Sequence, residues 1–103
     1  MATHGRLAPG ATAPSDGEET VALARATGFS VEQILSGRLA GPHQYEQDHD
    51  EWVVVLDGSA TLEVDGVAHD LGAGDWWLLP AGTPHRLVPT APGTSWLAVR
   101  STR

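Results

Sequence analysis

The chain has 103 residues, a formal charge of −7 and an isoelectric point near 4.9. That length holds one domain with one core, and the acidity argues against nucleic acid and anionic membrane surfaces as partners. Cys, Lys and Asn are absent and all six basic residues are arginines, which excludes disulfides, thiolate metal sites, lysine Schiff bases and a Cys-His-Asn triad. What remains for chemistry is His, Asp/Glu, Tyr45, hydroxyls and a metal. No apolar run nears the roughly 20 residues of a membrane span, and the N-terminus lacks a signal-peptide pattern. The cytoplasm is the expected location.

Residues 1–17 are rich in Ala, Pro, Gly, Ser and Thr without periodicity and read as a flexible N-terminal arm. Residues 18–103 form the β-barrel domain. Within it, 18–27 suits either a short helix, from its two glutamates and alanine-rich run, or a strand running to Gly28; the strand is the favoured reading. Residues 29–36 alternate as a strand, with Val31, Ile34 and Leu35 supplying the apolar content. Residues 51–56 are β-branched and aromatic and stop at Asp57-Gly58, a hairpin signal. TLEV follows and stops at a second one, Asp65-Gly66. Residues 67–71 return, Gly72 and Gly74 turn, and 75–79 make the next strand. A Pro80-x-Gly82 corner leads to His85 and a short strand, and 95–100 close the pattern. Short strands with turn signals every ~8–12 residues indicate a sandwich or barrel.

Residues 74–87, GDWWLLPAGTPHRL, carry the densest signal. Proline fixes φ and glycine opens backbone angles closed to other residues, so the corner is rigid enough to aim His85. This segment resembles the second motif of the cupin superfamily, GxxxxxPxGxxHxxxN: Gly74, Pro80, Gly82 and His85 match, and Pro89 stands where the asparagine would be. Glu51 and Gly58 match the end of the first motif, but Tyr45 and Gln47 replace its paired histidines. The pattern over residues 31–100 is similar to a subgroup of small bacterial cupins with Tyr-x-Gln in place of His-x-His. The resemblance implies an all-β fold, a double-stranded β-helix or jelly-roll barrel, with a ligand or metal inside.

It also implies that Tyr45, Gln47, Glu51 and His85 occupy the four metal-ligand positions. An unbroken strand would point His43, Tyr45, Gln47, His49 and Glu51 to one face, because alternate residues share a side. His43 then lies about 6.6 Å beyond Tyr45, at roughly 3.3 Å per residue, and His49 falls in the bend before Glu51. His43 and His49 are further candidate ligands or substrate contacts. A neutral amide and a phenol are weak donors, so this set binds a divalent ion (Zn, Fe, Mn or Ni) less tightly than three histidines would. The other reading is an emptied site in which the four residues form a buried hydrogen-bonded cluster. In that case Glu51 and His85 remain as a catalytic acid/base pair, open to isomerisation, elimination or cyclisation but not to oxygen activation.

Trp77 and Leu79 share the cavity parity, and Trp77 either fills the core or stacks on a ligand. Trp52 and Trp76 fall on the opposite face, between sheets or at a dimer interface. His4 and His69 read as surface residues, the acidic Glu46, Asp48 and Asp50 as a solvated face, and Arg86 as an ion-pair partner. The family spans dioxygenases, isomerases, lyases, cyclases and non-catalytic binders, so the fold alone selects no reaction. The functional expectation is a homodimeric barrel that binds a small organic molecule, with a divalent metal and with or without catalysis. The alternative is a non-catalytic, metal-free binding or sensing protein. No organic cofactor is expected.

Overall fold

The computed structural model describes residues 2–9, 12–37, 43–45, 47–89 and 93–102. Nine strands run through these residues: β1 (Glu18–Ala26), β2 (Phe29–Ser36), β3 (His43–Tyr45), β4 (Glu51–Asp57), β5 (Ser59–Val64), β6 (Val67–Gly72), β7 (Trp76–Leu79), β8 (His85–Pro89) and β9 (Thr94–Ser101). They form a five-stranded sheet in the order β1-β2-β9-β4-β7 and a four-stranded sheet in the order β3-β8-β5-β6. This is the jelly-roll arrangement expected from the motifs. No helix of the described residues is long and apolar enough to cross a membrane.

Local chemistry sets the turns. Asp65 and Gly66 both take positive φ, 50° and 83°, as a two-residue type I′ hairpin between β5 and β6 requires. At the β4–β5 turn Gly58 has φ 88°, and a Cβ there would come within 2.4 Å of Thr94 Oγ1. Thr94 Oγ1 in turn donates to the Ser59 carbonyl and accepts from the Ser59 amide. The ambiguous segment 18–27 is a strand from Glu18 to Ala26, because β2 supplies it with an antiparallel partner on both sides of a bulge at Leu23.

The core lies between the sheets. Val53, Val55, Ala60, Leu62, Leu71, Leu79, Trp96 and Ala98 are buried there, with Ile34, Val64, Trp77 and Leu87 packed around them. Period-two alternation decides what faces out. Trp76 is 60% exposed and its ring lies 6.0 Å from that of Trp52, on the outer face of β4 and β7.

On the outer face of β2, Gln33 is fully buried. Its side-chain oxygen accepts from the Ala8 amide at 2.8 Å, and its nitrogen donates to the Ala8 carbonyl at 2.7 Å and to Ser95 Oγ at 3.0 Å. The amide thus pairs with the backbone of the N-terminal segment as a neighbouring strand would. A second tie runs from the Gly37 amide to the Gly17 carbonyl, 2.8 Å. Gln33→Ala is expected to lose about 2–3 kcal/mol of stability, since each hydrogen bond contributes about 1 kcal/mol. Urea unfolding followed by tryptophan fluorescence measures it.

Candidate functional site

The chain between Tyr45 and Glu51 is not one strand. β3 pairs with β8 in the four-stranded sheet, whereas β4 belongs to the five-stranded sheet. The chain crosses between sheets over this stretch, with bends at Asp48 and His49, so alternation does not carry from Tyr45 through to Glu51. Tyr45 is in register with His85, and His43 with Leu87. The side chains of Tyr45 and His43, like all of Glu46, lie outside the described residues, and with them the ligand roles expected for the first two.

Inward side chains leave a cavity of about 220 Å³ within the barrel. Glu51, His85 and Gln47 line it, together with Glu18, Thr20 and Arg100 and an apolar wall that includes Val53, Leu79 and Trp96. Glu51, His85 and Gln47 therefore meet in one cavity, as expected. His49 and Trp77 do not line it. The bend turns His49 towards Asp48, with Nδ1 3.4 Å from Oδ1. Trp77 sits at the far end of β7 against His69, ring centroids 4.5 Å apart. His69 is accordingly half-buried rather than a free surface residue. Arg86 pairs with Glu63 at 3.7 Å, the ion-pair role anticipated for it.

His85 is held through Nδ1. The corner before it is fixed by three contacts: Thr83 amide to Pro80 carbonyl, 3.1 Å; Gly82 amide to Gln47 carbonyl, 2.7 Å; and Ala81 amide to Asp50 Oδ1, 2.9 Å. Asp50 is thus structural as well as solvated. Gly82 takes φ 83°, the conformation for which glycine is needed here. Nδ1 of His85 lies 3.0 Å from the Thr83 carbonyl. A carbonyl can only accept, so in the neutral imidazole Nδ1 carries the proton and Nε2 bears the lone pair. Nε2 is 3.7 Å from Glu51 Oε1, both side chains being nearly buried.

Glu51 has a second partner that the sequence reading missed. Arg100 stands directly across the β4–β9 ladder from it, and its Nε donates to Glu51 Oε2 at 2.8 Å. The same guanidinium pairs through Nη1 with Glu32 on β2. The alternation of Trp96, Ala98 and Arg100 along β9 could have flagged the arginine as inward-facing. Its partners needed the register.

The chain carries the cupin signature in three dimensions, and the family model described as a cupin domain matches residues 30–99. The chain is a cupin. It is similar to a Ralstonia eutropha protein provisionally named mannose-6-phosphate isomerase, at 32% identity and TM-score 0.78, over 99% of this cupin and all of that chain. KdgF from Halomonas sp. matches at 26% identity and TM-score 0.75, over 84% of this cupin and 80% of that chain. Quercetin 2,3-dioxygenase of Bacillus subtilis (strain 168) is 38% identical over 68 residues; these are 63% of this cupin but only 20% of the dioxygenase.

Cupins commonly bind divalent metals, so the fit of the residues present is a direct question. Among the described residues no group of three His, Asp or Glu side chains is placed to hold an ion. Glu51 and His85 offer one oxygen and one nitrogen, and Gln47 a neutral amide. The other Glu51 oxygen is held by a permanent cation. Unit charges about 4 Å apart interact by about 4 kcal/mol at an effective dielectric near 20. A divalent ion sharing that carboxylate would therefore meet a repulsion of several kcal/mol from Arg100, and the described donors alone, one oxygen, one nitrogen and a neutral amide, do not fit it.

Two measurements check the site as built. Long-range proton–nitrogen NMR of neutral His85 is expected to show Nδ1 protonated and Nε2 bare. Asp50→Ala should cost about 1 kcal/mol in urea unfolding, through loss of the Ala81 contact.

Proposed function

We propose that this cupin binds a small, uncharged organic molecule in the barrel, with His85 as base and Glu51 as its stabilising partner in proton transfer. The observation that carries this reading is Nε2 of His85, the unprotonated nitrogen of the neutral ring, set 3.7 Å from the Glu51 carboxylate at the wall of the cavity. When Nε2 takes a proton from a bound molecule, the imidazolium that forms faces a carboxylate. His85 can then return the proton to another atom of the same molecule, as isomerisation, elimination or cyclisation requires. The cavity is smaller than the ~300 Å³ lower range of drug-sized pockets, which restricts the ligand to a compact one.

Charge narrows the class. Glu18 and Glu51 line the cavity and Glu32 lies beside it, against one cation, Arg100, so anions are disfavoured. The names of relatives support a small-molecule role, but the excess of carboxylates over guanidinium argues against a phosphorylated sugar.

Thermal-shift measurements across neutral, cationic and phosphorylated compounds test the binding. A neutral ligand at about 100 times its Kd adds about 2.7 kcal/mol, and a preference for phosphorylated compounds would overturn the reading. For a molecule that binds, deuterium exchange from D₂O into its C–H positions reports proton transfer. His85→Ala is expected to slow this by about 100-fold or more. Binding without exchange would favour the non-catalytic alternative.

We further propose that two copies meet through the outer face of β4 and β7. Trp76 and Leu78 are 60% and 56% exposed there, beside Trp52, and paired copies would cover them. Sedimentation is expected to give a dimer, and the 10.8 kDa monomer would overturn this.

A further inference from the structure

We infer that Arg100 is the resident cation of this barrel, standing at the motif-one glutamate in the place of a metal ion. The inference does not depend on which molecule the cavity takes.

Two carboxylates from different strands converge on one guanidinium. Glu51 on β4 is Arg100's cross-strand neighbour, and Glu32 on β2 lies diagonal to it on the other side. Nε of Arg100 takes Glu51 Oε2 at 2.8 Å, and Nη1 takes Glu32. All three side chains share the inner face of the five-stranded sheet, because residues paired across a ladder point the same way. The side chains of Glu51 and Glu32 are 5% and 18% exposed, and that of Arg100 is 31% exposed. Buried carboxylates need a countercharge. Here the chain supplies it covalently, so the charge is always present and does not vary with metal supply.

The arrangement also orients the site. With Oε2 committed to Arg100, Glu51 turns Oε1 towards Nε2 of His85. Arg100 is thus a positioning residue: it acts on the cavity through Glu51.

Removing the guanidinium leaves Glu32, Glu51 and His85 around the space it filled, two carboxylates and an imidazole of the kind that first-row divalent ions take. An ion-pair position should then become an ion site. Wild type and Arg100→Gln, purified without a metal-chelate column and stripped with EDTA, are titrated with Co²⁺. Calorimetry and the visible d–d absorption of the ion follow binding. Wild type is expected to show no barrel uptake. Arg100→Gln is expected to bind Co²⁺ at least about tenfold more tightly than any residual wild-type uptake, with a Tm that rises on adding the ion. A further His85→Ala change should abolish the gain.

Stoichiometric uptake by wild type that His85→Ala removes would overturn the inference, whereas the proposed ligand class is tested separately, by thermal shift on the metal-free protein. A folded Arg100→Gln protein with wild-type affinity would overturn it equally. If Arg100→Gln does not fold, Arg100→Met is titrated in its place, and the wild-type result stands as a test by itself.

Discussion

A carboxylate almost wholly removed from water must find an opposite charge, and in this barrel it finds Arg100. Glu51 and Arg100 face each other across the central β4–β9 ladder, so the ion pair ties the site to the sheet that carries it. Taking the arginine away leaves Glu51 with an uncompensated charge in a site nearly closed to water. A one-residue slip of β4 would place Glu51 outside and Trp52 inside, with every other side chain of the strand reversed. The pair and the apolar alternation of β4 therefore enforce the same register, and that register turns Glu51 Oε1 towards His85.

The opposite wall depends on backbone more than on charge. Pro80, Gly82 and the two anchors Gln47 and Asp50 hold the corner from which β8 starts. Thr83 then fixes the imidazole through its own carbonyl. One wall positions a carboxylate by an ion pair, and the other positions a base by a rigid turn. The result is a polar pair in a cavity that is otherwise largely apolar, where electrostatic effects are less screened than in water. The countercharge of the buried Glu51 comes from β9.

Most of the fold was legible along the chain. The two Asp-Gly turns, the β-branched run of β4 and the PxG corner each act over a few residues, so local composition reveals them. Glu51, His85 and Gln47 were legible as neighbours through their motif positions. His49 was misplaced because parity holds only within a strand, and it lies in the crossover between sheets. Trp77 keeps its inward parity and takes the core-filling role of the two expected for it. His69 is half-buried because Trp77 packs on it.

Glu32 and Arg100 were missed because neither is unusual in its own segment. An isolated Glu in VEQIL and an Arg near the end of a strand look like solvated positions. They become a charge centre only when β2, β9 and β4 lie side by side, which brings together residues 68 and 49 positions apart in the chain. The sequence alone determined the strands, the turns, the cupin motifs and the identity of the pair that faces the cavity, because those depend on periodicity and backbone chemistry acting over short distances. The tertiary structure decided the cation beside that pair, because electrostatic partnership depends on distance in space and the register between distant strands sets it.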